Sequence, residues 1–118
     1  MELNNLFENL TLNQNLLFFA LIAGILIDFA TGIAKAYKKD KRISSSKLRD
    51  GGFKKIGILL TVIICFGLSA LFSDTKHIIA NAAMCYYVYT EIISILENLK
   101  ELGIPRPPVL LNLLGKEH

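Results

Sequence analysis

The sequence contains few of the residues from which catalytic and metal-binding sites are usually built. Among its 118 residues are two cysteines and two histidines. Cys65 and Cys85 lie inside apolar runs, without the spacing of a zinc site or a redox pair. No glycine-rich nucleotide-binding loop occurs, and no nucleophile stands beside a suitable base. These absences argue against an enzyme and against a metal or cofactor site.

Recognisable transport machinery is missing as well. The chain shows no inverted repeat of the kind found in many carriers, no arginine-rich voltage-sensing helix and no carbonyl filter motif. In the segment before the first apolar run, the charged side chains are both acidic, Glu2 and Glu8. The run itself leads into Asp28 rather than a small-residue cleavage site, so no cleavable signal peptide is predicted.

Long apolar runs are what the sequence does have. Hydrophobic residues make up 53% of the chain, and its mean hydropathy is +0.46. Three runs, at about 16–37, 56–72 and 78–99, approach or exceed the length needed to cross a bilayer. The sequence therefore predicts one all-α membrane domain over residues 1–118, with three transmembrane helices.

Positive charge is concentrated between the first two runs. Nine of the thirteen lysine and arginine residues lie from Lys35 to Lys55, opposed only by Asp40 and Asp50. Basic residues beside membrane segments stay on the cytoplasmic side, which predicts an N-out, C-in topology with a basic loop over 38–55. This loop is expected to be flexible, with breaks at Ser44–Ser46 and Gly51–Gly52.

Placed between two apolar runs, this charge favours anionic lipid head groups over nucleic acid as its partner. The simpler alternative is an ordinary topology signal with no specific lipid. The anionic-lipid or topology residues are Lys38, Lys39, Lys41, Arg42, Lys47, Arg49, Lys54 and Lys55.

The two ends of the chain are expected to lie at the membrane surface. Met1–Asn15 has apolar residues at helical spacing, which is typical of a short amphipathic helix; a frayed terminus is the alternative. After Gly103, the segment Pro105–Pro108 is expected to end the third helix. Residues 103–118 then form an interfacial tail.

Two acids, Asp28 and Glu91, lie well inside the apolar runs, away from their ends. A charged side chain at mid-helix costs about 2.5 to 3.5 kcal/mol on insertion scales, so such residues usually face a partner or water. Asp28 shares a face with Thr31 and Lys35, which permits a ladder within one helix. Glu91 lies on a polar face of the third run. The residues predicted to line a pore or join helices are Asp28, Thr31, Lys35, Glu91, Ser94 and Asn98.

Small residues recur at intervals of four in the first two runs. One stripe is centred on Asp28, and a second passes through Cys65. Small residues at this spacing allow helix backbones to approach closely in lipid. The alternative is that the spacing arises by chance. The predicted helix-packing residues are Ala20, Gly24, Gly32, Ala36, Gly57, Thr61 and Ser69.

Several of these motifs occur together in one known family. The blocks, in chain order, are Asp28-Phe-Ala-Thr-Gly32, Ser46, Gly51-Gly-Phe-Lys-Lys55, Glu91-Ile-Ile-Ser-Ile-Leu-Glu-Asn98 and Gly103-Ile-Pro-Arg-Pro107. Over residues 16–114 the chain resembles the phage lysis and toxin-secretion holins of Gram-positive bacteria and their phages, including the clostridial toxin-export type.

The resemblance implies a homo-oligomer in the bacterial cytoplasmic membrane. Holins of this kind open large lesions that release an endolysin or a toxin as cargo, and they use no small-molecule substrate. Two other functions stay open. One is a regulatory membrane subunit, such as an antiholin or a scaffold. The other is a small ion channel or proton-linked carrier that uses Asp28 and Glu91.

Overall fold

The structure consists of three long helices and one short one. It is a computed structural model that describes residues 14–40, 45–73 and 77–113. The helices are α1 (Gln14–Asp40), α2 (Ser45–Leu71), α3 (Ile78–Glu101) and α4 (Pro108–Leu113). The described residues contain no β-strand, which confirms the prediction of an all-α protein. Most of the amphipathic helix predicted for Met1–Asn15 lies outside the described residues.

The three long helices match the predicted number of spans. Each is long and apolar enough to cross a membrane. They contain 27, 27 and 24 residues, or about 40, 40 and 36 Å at 1.5 Å per residue. These lengths exceed the roughly 30 Å of a bilayer's hydrocarbon core. The helices can therefore carry their charged ends beyond the apolar layer.

The start of α2 differs from the prediction. The helix begins at Ser45, well before the predicted span at residue 56, and runs unbroken through Gly51 and Gly52. The break expected at Gly51–Gly52 is wrong. A Cβ at Gly51 would lie 3.3 Å from Cε1 of Phe29, so the bare glycine lets α1 approach closely. Packing of this kind offsets the roughly 1 kcal/mol by which glycine disfavours a helix.

Helix α3 is the centre of the bundle. It packs along α1 and against α2, whereas α1 and α2 approach each other at few positions. The buried apolar core is small and consists of Leu21, Ile25, Ile58, Val62 and Met84.

Many large apolar side chains lie on the outside of the bundle, among them Phe19, Ile63 and Leu71. A soluble protein of this size would bury most of such residues. The surface therefore suits lipid rather than water.

The C-terminal end of α3 is closed by backbone and side-chain hydrogen bonds. Gly103 adopts a φ of 79°, and the amide of Ile104 donates to the carbonyl of Leu99 at 2.9 Å. This left-handed glycine stop is common at helix ends. The Nζ of Lys38 donates to the carbonyl of Leu102 at 3.0 Å, which ties the end of α1 to the end of α3.

Candidate functional site

Three charged side chains, one from each long helix, meet inside the bundle. The Nζ of Lys55 lies 2.6 Å from Oδ2 of Asp28, 2.6 Å from Oε1 of Glu91 and 2.8 Å from Oε2 of Glu91. The side chains are 13%, 10% and 4% exposed for Lys55, Asp28 and Glu91. We call these three residues the charge cluster. It joins α1, α2 and α3 at a single point.

The second carboxylate oxygen of Asp28 is bound from α3. Its Oδ1 accepts hydrogen bonds from Oγ of Ser94 at 2.7 Å and from Nδ2 of Asn98 at 2.9 Å. Nδ2 of Asn98 also lies 2.9 Å from Oγ1 of Thr31. Asp28 thus accepts three side-chain hydrogen bonds, as buried polar groups generally require.

Small residues on α1 make this close approach of α3 possible. A Cβ added at Gly24 would lie 3.3 Å from Cβ of Glu91, and one at Gly32 would lie 3.8 Å from Nδ2 of Asn98. Gly24 precedes Asp28 by one helical turn and Gly32 follows it by one turn, so the stripe flanks the carboxylate and faces α3. Ala20 and Ala36, at the ends of the stripe, are half-buried.

The second stripe, on α2, is only partly used within the protomer. Gly57 is exposed, and a Cβ there would meet nothing within 4 Å. The Thr61 hydroxyl donates to the carbonyl of Gly57 on its own helix at 2.8 Å. Ser69, in contrast, is fully buried.

The partner of Asp28 is not the one that the spacing suggested. The spacing places Lys35 two turns after Asp28 on the same face of the same helix, but the ion pair forms with Lys55 of α2. Lys55 had been grouped with the topology lysines. Lys55 lies on the buried face of α2, because it precedes the buried residues Ile58 and Val62 by three and seven residues. These positions lie on one helix face.

The other predicted basic residues have different surroundings. Lys35 is half-buried, and the exposed residues are Lys38, Lys39, Lys47, Arg49 and Lys54. Lys41 and Arg42 lie outside the described residues.

A second polar contact, nearer the start of α1, was missed by the sequence reasoning. Nε2 of Gln14 donates to Oδ1 of Asn81 at 3.0 Å, and Asn81 is fully buried. Asn81 lies three residues before Met84 and ten before Glu91, on the same face of α3. Extending that face back by one turn would have found it.

The charge cluster consists of ion pairs and hydrogen bonds. One ammonium group serves two carboxylates, and hydroxyl and amide donors complete the shell of Asp28. Among residues 14–40, 45–73 and 77–113, no group of three His, Cys, Asp or Glu side chains is placed to hold a metal ion. Breaking a buried ion pair by removing one partner typically costs about 3 to 5 kcal/mol. The cluster is therefore suited to hold three helices in one arrangement.

Substitutions of Asp28 are expected to rank by how many hydrogen bonds they keep. Asp28→Asn retains an acceptor for Ser94 and Asn98 but presents an amide to Lys55, and it should be partly active. Asp28→Leu removes the ion pair and every side-chain hydrogen bond of Asp28, and it should be inactive. The same order is expected at Glu91, with Glu91→Gln more active than Glu91→Leu. For the lytic function that the resemblance to holins implies, the measurement is lysis onset after induction with an endolysin, at membrane levels matched by immunoblot. Lysis on schedule by Asp28→Leu would contradict a role for either acid.

The sequence also matches a known protein family over nearly its whole length. The profile of the bacteriophage holin family matches residues 6–117. The chain belongs to the bacteriophage holin family. With three apolar helices, this holin-family protein is a multi-pass membrane protein. The family points to a non-enzymatic role.

Individual relatives come from Gram-positive bacteria and a phage. An uncharacterised protein of Listeria monocytogenes is 35% identical over 101 residues, covering 85% of this chain and 70% of the relative. An uncharacterised protein of Clostridium perfringens is 33% identical over 95 residues, covering 80% and 69%. A probable holin of Bacillus phage phi105 is 30% identical over 89 residues, covering 75% and 64%. No solved structure shows a significant match to this holin-family chain.

Proposed function

We propose that this protein is a holin that oligomerises in the bacterial cytoplasmic membrane and opens lesions through which an endolysin or a toxin leaves the cell. The observation that carries the proposal is the charge cluster, buried between three helices that are each apolar enough to span a membrane. Membership of the holin family and the similarity to the phage phi105 protein support it.

The charge cluster explains how acids are kept within apolar helices. On a separate helix in lipid, Asp28 or Glu91 would be expensive to insert. Joined to Lys55, both acids are paired within one protomer, and the assembled bundle can be stored in the membrane.

Lesion formation requires many copies of this bundle. A protomer with three long helices is too small to enclose a protein-sized hole. The outward-facing Gly57, together with half-buried Thr61, offers a small-residue surface on α2 for contact with a neighbouring protomer. Assembly into a homo-oligomer through exposed helix faces is therefore part of the proposal.

The function is tested by induced expression with and without an endolysin that lacks its own export signal. We expect an abrupt stop in growth in both cultures and lysis only in the culture with endolysin. A regulatory subunit would produce neither effect. A small ion channel would depolarise the membrane without endolysin-dependent lysis, and either of these results would refute the holin proposal.

The proposed orientation places the N-terminus outside and the basic segment inside, as the positive-inside rule predicts. The test uses a cysteine-free background with a single cysteine at Ser45 or at Ser73, which lie beyond opposite ends of the apolar part of α2. A membrane-impermeant thiol reagent applied to intact cells should label the Ser73 position and leave the Ser45 position unlabelled. Labelling at Ser45 would reverse the orientation.

A further inference from the structure

A cleft opens between α1 and α2 at the ends nearest their connection. Its volume is about 420 Å³. It exists because α3 packs against both helices while α1 and α2 approach each other at few positions. Ser94 and Asn98 of α3 form its floor.

The lining of the cleft is strongly positive. Four lysines and one acid line it: Lys35, Lys47, Lys54, Lys55 and Asp28. The Asp28 carboxylate already accepts hydrogen bonds from Lys55, Ser94 and Asn98. Lys55 is shared by Asp28 and Glu91, so Lys35 and Lys54 are the ammonium groups of the lining that the proposal relies on to attract an anion.

The remaining walls are apolar. Phe29 and Ile33 of α1 face Leu48 of α2 across the cleft. Gly32 and Gly51 also line the cleft. A site that combines ammonium groups with apolar walls suits an amphiphile better than a small soluble anion.

Beyond the cleft, the same helix faces continue without charge toward the middle of the membrane. On α2, Cys65 follows Lys54 by eleven residues, and on α1 Ile22 precedes Phe29 by seven. These spacings keep each residue on the face that lines the cleft. Both are uncharged and half-buried, so these helix faces offer an apolar surface that continues from the lysines toward the middle of the membrane.

We propose that this cleft binds an anionic phospholipid, with its phosphate among the cleft lysines and one acyl chain along the α1–α2 seam. Basic pockets between transmembrane helices on the cytoplasmic side bind anionic head groups of this kind. A bound lipid fills the gap between two helices that otherwise touch little. It thereby fastens α2 to the α1–α3 pair, independently of whether the protein opens lesions.

The test is native mass spectrometry of the full-length protein in mild detergent with phosphatidylglycerol or phosphatidylcholine. Wild type should retain phosphatidylglycerol in preference to phosphatidylcholine. The pair Lys35→Gln with Lys54→Gln should bind phosphatidylglycerol roughly thirtyfold more weakly, since a lysine near an anionic surface contributes about fivefold. The pair Lys35→Arg with Lys54→Arg keeps the charge and should retain the lipid.

The matched control removes the same charge from the same end of the bundle but away from the cleft. Lys39→Gln with Lys100→Gln, both at exposed positions, should bind phosphatidylglycerol as wild type does. An equal loss in this pair would show general surface attraction and overturn the proposal. Equal retention of phosphatidylcholine, or displacement of the lipid by an equal concentration of inorganic phosphate, would also overturn it.

Folding of each variant is checked by circular dichroism and gel filtration. If the glutamine pair does not fold, the comparison of the two lipids on wild type and on the arginine pair decides the question. Because lipid retention is measured without lysis, its failure is separate from a failure of the holin function.

Discussion

Lys55→Met is expected to abolish lysis and to destabilise the folded protomer more than loss of any other lysine described in the structure. The substitution leaves Asp28 and Glu91 side by side without their shared ammonium group. Removing one partner of a buried ion pair typically costs about 3 to 5 kcal/mol, and here one change removes the partner of two acids. The measurements are lysis timing with endolysin and the apparent Tm in mild detergent.

The matched control for this variant is Lys100→Met, which removes the same charge from an exposed position on α3. It should lyse on schedule with an unchanged Tm. A triple variant, Lys55→Met with Asp28→Asn and Glu91→Gln, removes every charge of the cluster and should recover most of the lost Tm. If Lys55→Met alone matches wild type in Tm, the ion pairs do not hold the helices together.

Gly24→Leu is expected to have the second-largest effect. A Cβ at this position would already lie 3.3 Å from Cβ of Glu91, so a leucine forces α1 and α3 apart. Overpacking of a well-packed contact costs about 1 to 3 kcal/mol, and separation of the helices also pulls Glu91 away from Lys55. Lysis should be lost and the apparent Tm lowered, while membrane insertion measured by fractionation should stay normal.

Gly67→Leu is the control for added bulk, because a Cβ at Gly67 meets nothing within 4 Å. Its Tm should not fall below that of wild type, because leucine fits a helix better than glycine does. Gly32 is the intermediate case, since the nearest atom, Nδ2 of Asn98, would lie 3.8 Å from a Cβ. Gly32→Ala should therefore be tolerated, whereas Gly24→Ala should already crowd the contact with Glu91. Equal Tm values for Gly24→Leu and Gly67→Leu would refute the packing role of the stripe.

The features that could be predicted from the sequence are those that depend on a pattern within a single helix. The three apolar runs predicted three long helices because helix length and apolarity are local properties. Ser94 and Asn98 could be grouped with Glu91 because residues three and four apart share a helix face. The same reasoning placed Gly24 and Gly32 on the face of Asp28, where the structure has them against α3.

Contacts between helices could not be predicted in the same way. Which lysine pairs with Asp28 depends on the rotation and height of α2 relative to α1, and these are set by packing between the helices. Gly51 and Gly52 predicted a break because glycine is a poor helix former. The helix continues there because Gly51 of α2 packs against Phe29 of α1. A contact between two helices cannot be read from the sequence around Gly51.

The sharing of one ammonium group by two acids makes the attachment of α2 cooperative. Withdrawal of Lys55 breaks its hydrogen bonds to Asp28 and to Glu91 in the same movement. Ile58 and Val62, on the same face of α2, leave the core with it. A protomer in which α2 has moved only part of the way has lost the paired charges and has gained no new contacts in their place. The helix is therefore expected to dock or undock as a unit, with two populated states and a sharp transition between them.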